Sequence, residues 1–143
     1  MPLRSEFSDP RAYNDATTEE FRANGGQVTG DFAGRPLLLL TTYGAKTGDD
    51  RVTPLIYTKD GDSFVVTAAD GGSDRHPGWY YNIRANPRVE LQDGAHKRDM
   101  TAREITGDER AQWWDRAVAA YPPYAEYQRK TERVIPVFVL EAQ

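Results

Sequence analysis

The chain has 143 residues, a formal charge of -4 and a pI near 5.2. That length bounds it to one domain able to bury about two thirds of its unfolded surface, and the acidic balance argues against nucleic acid or an anionic membrane as principal partner. It has no cysteine, so disulfides, thiolate catalysis and Cys-ligated zinc are excluded. No apolar run is long enough for a membrane span and the N-terminus lacks an apolar signal core, so a soluble, cytoplasmic protein with no integral membrane segment is expected.

Residues 1–35 are polar and weakly patterned and are read as an N-terminal helical arm. Asp9-Pro10 pairs an N-cap with a proline at the first helical position, predicting a helix start. Phe7, Tyr13 and Phe21 are its apolar handles, and Gly25-Gly26 ends it. Two readings stay open, a mobile lid and a partly frayed helix packed on the domain. From Pro36 the texture changes, and residues 36–143 form the main domain. Leu37, Leu38, Leu39 and Leu40 run into Thr41-Thr42 and a glycine turn, which predicts a central strand. Residues 51–59 alternate and stop at Asp60-Gly61, a hairpin signal leading to a partner strand over residues 63–68. Residues 76–85 read as a short helix closed by Asn86-Pro87. A second hairpin turns at Asp93-Gly94 between residues 89–92 and 96–105. Thr106-Gly107-Asp108 opens a helix to about Tyr121, Pro122-Pro123 breaks it, a shorter helix covers residues 124–131, and residues 135–140 close the chain as a strand. About six hairpin-connected strands with inserted helices suit an antiparallel barrel better than an alternating βαβ layout.

Chemistry concentrates in three places. The segment Gly71-Gly72-Ser73-Asp74-Arg75-His76-Pro77-Gly78-Trp79-Tyr80-Tyr81-Asn82 sets a glycine turn and an aromatic helix after an apolar strand. Exposed backbone N–H groups and a helix N-terminus there can face an anion, while the aromatics wall a flat ring. Trp79 and Ile83 share one helix face, which suits core packing, and Tyr80 and Arg84 share another. Glycine at 78 also lets a planar ring approach the backbone closely. His76 reads as a loop residue or helix N-terminal donor. With only two histidines and no Glu-His pair at ligand spacing, no catalytic metal is expected. Upstream, Lys46 and Arg51 flank Thr47-Gly48 on a tight turn that can hold a phosphate or carboxylate. The alternative there is an ordinary charged hairpin turn, since Asp49-Asp50 sit beside the cations. Finally, Tyr121, Tyr124 and Tyr127 recur every three residues. They either converge on a flat substrate or cover the barrel with hydroxyls outward.

Taken together, these residues resemble the deazaflavin-dependent nitroreductase family of actinobacteria. The likeness runs in order through residues 38–48 and 51–55, Asp60-Gly61-Asp62, Gly71-Gly72, His76-Pro77-Gly78-Trp79-Tyr80, Asn82-Ile83-Arg84-Ala85-Asn86-Pro87, Thr101-Ala102-Arg103-Glu104 and Tyr121-Pro122-Pro123-Tyr124 to Tyr127. The resemblance implies a split antiparallel β-barrel of α+β class, related to flavin-binding pyridoxamine oxidases, with peripheral helices. It implies coenzyme F420, whose reduced form passes hydride to quinones, activated enones such as coumarin-type lactones, or nitroheterocycles, so that a small aromatic or enone substrate is the expected partner. Carried over by position, Ala45, Lys46, Thr47 and Arg51 fall on the family's tail-binding turn. Val52, Thr53, Pro54, Leu55 and Ile56, with Thr67, Ala68, Ala69 and Asp70, fall on its ring-binding strands. Pro77, Gly78, Trp79, Tyr80, Tyr81 and Asn82 fall on its proline-aromatic turn. Tyr124 and Tyr127, with Tyr121 nearby, fall on the substrate side, where a Tyr124 hydroxyl can stabilise or protonate an enolate. The chain departs from the family at Ala45 and Asp70, where arginine and lysine are common, which implies a weaker grip on the anionic tail. Two other readings remain: an FMN-dependent oxidoreductase on the same barrel, and a non-catalytic cofactor or small-ligand binding protein. FMN calls for a more compact cation cluster than Lys46 and Arg51 provide. Related split barrels commonly dimerise, so a homodimer is expected.

Overall fold

The computed structural model describes residues 9–44 and 50–142. Its elements in chain order are α1 (Pro10–Ala23), β1 (Leu37–Tyr43), β2 (Asp50–Ile56), β3 (Thr58–Asp60), β4 (Ser63–Thr67), α2 (Gly78–Ala85), β5 (Arg88–Asp93), β6 (His96–Ile105), α3 (Gly107–Ala120), α4 (Pro123–Arg129) and β7 (Val137–Ala142). The seven strands form one sheet in the order β2-β1-β5-β6-β7-β4-β3, with every pairing antiparallel. The sheet curls until β2 meets β4, giving a split barrel with helices at its periphery. No helix among the described residues is long and apolar enough to cross a membrane.

Local chemistry sets the element boundaries. Asp9 caps α1 by accepting from the Arg11 backbone N–H at 3.0 Å, as the Asp9-Pro10 signal predicts. The single strand expected over residues 51–59 divides at Tyr57: its N–H donates to the Pro36 carbonyl at 3.1 Å in register with the β1–β2 pair, but Pro36 has no N–H to return the bond. Pro54 is tolerated because β2 is an edge strand, where a missing donor costs no ladder bond. The helix expected from His76 starts two residues later, because Pro77 is extended (ψ 155) and serves as the N-cap.

Strand alternation sorts the side chains into two layers. Leu38 faces Leu55, Leu40 faces Thr53 and Thr42 faces Arg51 across the β1–β2 pair. On that inner face Leu38 and Leu40 join Phe64, Val66, Ala68, Val89, Leu91, Met100, Phe138 and Leu140 in the main core. Helix α2 closes this core with Trp79, Tyr80 and Ile83, the Trp79 ring standing edge-on to Phe138 at 5.7 Å. On the outer face Leu37, Leu39 and Ile56 pack under the fully buried Phe21 of α1, with Val28, Phe32, Val52 and Tyr121 around them. A third layer places Trp113 of α3 on Val65, Val137 and Val139. Each large side chain so buried contributes about 1.5–3 kcal/mol.

Candidate active site

A side-chain bond seats helix α2 on the end of the β1–β2 pair. The Asn82 amide donates to the Thr42 hydroxyl at 3.0 Å, and Thr42 stands opposite Arg51 in the ladder. Gly78 lies one helical turn before Asn82 and shares its face. The Arg51 guanidinium rests there, so a Cβ added at Gly78 would lie 2.8 Å from Cζ and run into Nη1. The α2 N-cap makes no side-chain hydrogen bond, and while the Tyr80 N–H donates to the Pro77 carbonyl at 3.0 Å, the N–H groups of Gly78 and Trp79 lie before the first intrahelical bond. Of the residues expected on the tail-binding turn, Arg51 is therefore at the helix, whereas Ala45, Lys46 and Thr47 lie outside the described residues.

The expected ring-binding stretch of β2 divides by face. Thr53 and Leu55 share the inner face with Arg51, while Val52 and Ile56 turn to the opposite layer against Phe21, with Pro54 facing Leu39 on that side. The second stretch divides the same way. Ala68 enters the main core beneath α2, and Ala69 packs with Ala117, Tyr124 and Ile135 on the other side. Residues 67–70 are thus a partition between the α2 face and the tyrosines.

Arg133 clamps that partition. Its guanidinium donates to the carbonyls of Ala68 (3.1 Å), Ala69 (2.9 Å) and, through Nε, Ser73 (2.8 Å), and Nη1 lies 3.3 Å from His76 Nδ1. Because a guanidinium only donates, His76 Nδ1 accepts and the ring proton sits on Nε2. The His76 ring stacks on Tyr80 at 3.9 Å. Burial, then the nearby Arg133 charge, lowers the His76 pKa from its usual 6.5 and keeps it neutral. Tyr80 in turn accepts from Arg84 at 2.9 Å, and Arg84 approaches Glu104 at 3.5 Å. Tyr81 is exposed beside this column.

The glycine turn works differently from the sequence expectation. The N–H groups of Gly72 and Ser73 bond to the carbonyls of Ala69 and Asp70, so they are not presented to an anion. Gly72 instead has φ +84 and lies against α4, where a Cβ would sit 2.8 Å from the Tyr127 carbonyl oxygen. Its role is close approach between the turn and α4.

The three tyrosine rings lie close together. Ring centroids lie 5.0 Å apart for Tyr121 and Tyr124, 6.1 Å for Tyr124 and Tyr127, and 6.4 Å for Tyr121 and Tyr127. The Tyr121 and Tyr127 hydroxyls are 3.5 Å apart. Burial pushes the Tyr124 hydroxyl up to about 12, the Thr67 hydroxyl beside it working the other way. Burial and the Tyr127 contact raise Tyr121 as well. Tyr121 and Tyr124 are therefore neutral donors near pH 7. Arg35 completes the rim, its guanidinium 5.3 Å from the Tyr121 ring centre and bonded to the Ala120 carbonyl at 2.9 Å. Sequence reasoning missed Arg133, Arg35 and Thr42. Arg133 lies in the charged run Arg129-Lys130-Thr131-Glu132-Arg133, where no local signal separates a carbonyl clamp from a solvated cation.

Known proteins bearing on this arrangement agree with one another. Residues 14–142 match the model of the F420H(2)-dependent quinone reductase family. An F420H(2)-dependent quinone reductase of Mycobacterium tuberculosis is 39% identical over 124 residues, covering 84% of this chain and 83% of the relative. A solved F420-H2 dependent reductase, FDR-A, is 52% identical with a TM-score of 0.70, over 75% of this chain and 95% of its own. Another solved chain, described as a domain-swapped dimer, is 45% identical with a TM-score of 0.72, over 93% of this chain and 100% of its own.

Proposed function

Because this chain belongs to the F420H(2)-dependent quinone reductase family, we propose that it binds coenzyme F420 and reduces quinones with it, activated enones and nitroheterocycles being further acceptors. The observation that carries this reading is the two-sided partition at residues 67–70. The Arg51 guanidinium at the side-chain-free Gly78 lies on one side, and three clustered phenols lie on the other. This donor set suits an anionic, flat cofactor. Arg51 would hold it, placed by Gly78 and by the Asn82 bond to Thr42, beside Thr67, Ala68 and Ala69, and the resemblance adds Lys46 and Thr47. When bound, reduced F420 supplies the hydride.

The protein's own part is then to position the acceptor and supply hydrogen bonds to its oxygen. The Tyr124 hydroxyl, held at about 12, stays protonated at neutral pH and releases its proton reluctantly. It acts by donating a hydrogen bond to a carbonyl that gains negative charge, a contact that strengthens as the charge develops. The Tyr121–Tyr127 pair widens the donor surface for a substrate of variable shape. A homodimer is part of this proposal, supported by the dimeric state described for the 45% identical neighbour, and light scattering of the purified chain measures it.

Tyr124→Phe, Tyr127→Phe and the double variant test the assignment with reduced F420 and a soluble quinone. The expected result is a fall in kcat of about tenfold or more for Tyr124→Phe, with F420 affinity unchanged. Full turnover in all three variants would remove the tyrosines from the substrate side.

A further inference from the structure

We infer that Gly78 sets where Arg51 acts, making this glycine the positioning residue for the one described cation of the expected tail-binding turn. The inference rests on the cofactor reading above. Its structural basis is a close fit between two residues far apart in sequence. Arg51 lies near the start of an edge strand, opposite Thr42. Asn82 bonds to that same Thr42, which fixes the height of α2 over the ladder and brings Gly78, one turn earlier, under the Arg51 guanidinium. The fit leaves no room for even a methyl group, since a Cβ at 78 would run into Nη1 and approach Cζ at 2.8 Å and Nη2 at 3.4 Å.

Two features give this placement chemical meaning. Gly78 does not need glycine for backbone reasons, because its φ lies outside the left-handed region that marks nine other glycines among the described residues. Its missing side chain is therefore an opening for a neighbour. Arg51 also forms no ion pair among the described residues, and it lies beside a helix end whose N–H groups likewise donate. Donors face donors there, and an acidic group on a bound ligand satisfies both. With Ala45 and Asp70 standing where the family commonly has cations, an arginine folded back onto α2 moves positive charge from the outer tail site toward the ring end. Any side chain at 78 would push the guanidinium away from the helix.

A double-mutant cycle on the full chain tests this, with F420 affinity measured by calorimetric titration for the parent, Gly78→Ala, Arg51→Gln and the pair. Alanine is a better residue than glycine near a helix start, so Gly78→Ala should melt no lower than the parent. The expected result is a loss of about tenfold for each single variant, with the pair no weaker than Arg51→Gln alone. Gly78→Ala should also flatten the salt dependence of binding as Arg51→Gln does, because the displaced cation no longer engages the anion. An unchanged affinity in Gly78→Ala overturns the inference. So does a Gly78→Ala loss that recurs in full in the Arg51→Gln background, since the glycine would then act on the ligand directly. Failure of the parent to bind F420 overturns the cofactor reading itself, and this inference with it.

Discussion

Two adjacent glycines separate backbone strain from packing in the turn that holds the tyrosines. Gly71 and Gly72 both have positive φ, +63 and +84, but differ in surroundings. A Cβ at Gly71 meets nothing within 4 Å, whereas one at Gly72 would lie 2.8 Å from the Tyr127 carbonyl oxygen and 2.9 Å from its Cα. Those atoms are backbone of α4, so they cannot swing aside as a side chain would. Gly71→Ala should then cost only left-handed strain, about 1 kcal/mol. Gly72→Ala adds overpacking of roughly 2 kcal/mol, for a total near 3 kcal/mol. With an unfolding entropy of about 2.1 cal/mol/K per residue, 1 kcal/mol shifts Tm by ~3 °C in a chain of this length. Thermal unfolding followed by circular dichroism should show a drop of ~3 °C for Gly71→Ala and ~9 °C for Gly72→Ala. Since α4 carries Tyr124 and Tyr127, quinone turnover below the transition should fall only for Gly72→Ala. Equal shifts for the two variants would refute the argument that Gly72 is a contact between turn and helix.

Other substitutions test the remaining supports. Arg133→Gln leaves the Ala68, Ala69 and Ser73 carbonyls short of a donor and should lower stability in urea by about 2–4 kcal/mol; a loss under 1 kcal/mol, on the order of an exposed pair, would mean the clamp is decorative. Phe21→Ala empties the buried seat between α1 and the outer face of β1 and β2 and should cost about 3–5 kcal/mol in the same assay. His76 gives a pH test. Its folded pKa is lowered, so the unfolded chain takes up the proton first; stability is full above about 6.5, falls as pH drops through that value, and levels off once the folded His76 protonates too. Against the parent, His76→Gln should lose part of the decline in Tm between about pH 7 and pH 5, and identical profiles would contradict the proton assignment.

Much of this architecture was legible because it depends on short-range chemistry. The Asp9-Pro10 cap, the Asp60-Gly61 and Asp93-Gly94 turns and the Trp79/Ile83 face each need only neighbouring residues, and all appear as expected. The meeting of the three tyrosine rings beside Ala69 was not legible, since helical spacing cannot say what a face meets. What stayed hidden depends on elements that meet in space. Gly72 reads as a phosphate-type turn until Tyr127 is found against it. The stretch from Val52 to Ile56 reads as one surface until Phe21 claims alternate residues. Arg133 is one cation among several until the carbonyls of Ala68 and Ala69 come within 3.1 Å of it.

The most direct test is a calorimetric titration of the purified chain with F420 and, separately, with FMN. Micromolar binding of F420 with no heat from FMN is the predicted result. Tight FMN binding without F420 binding would contradict it and assign this barrel to flavin chemistry.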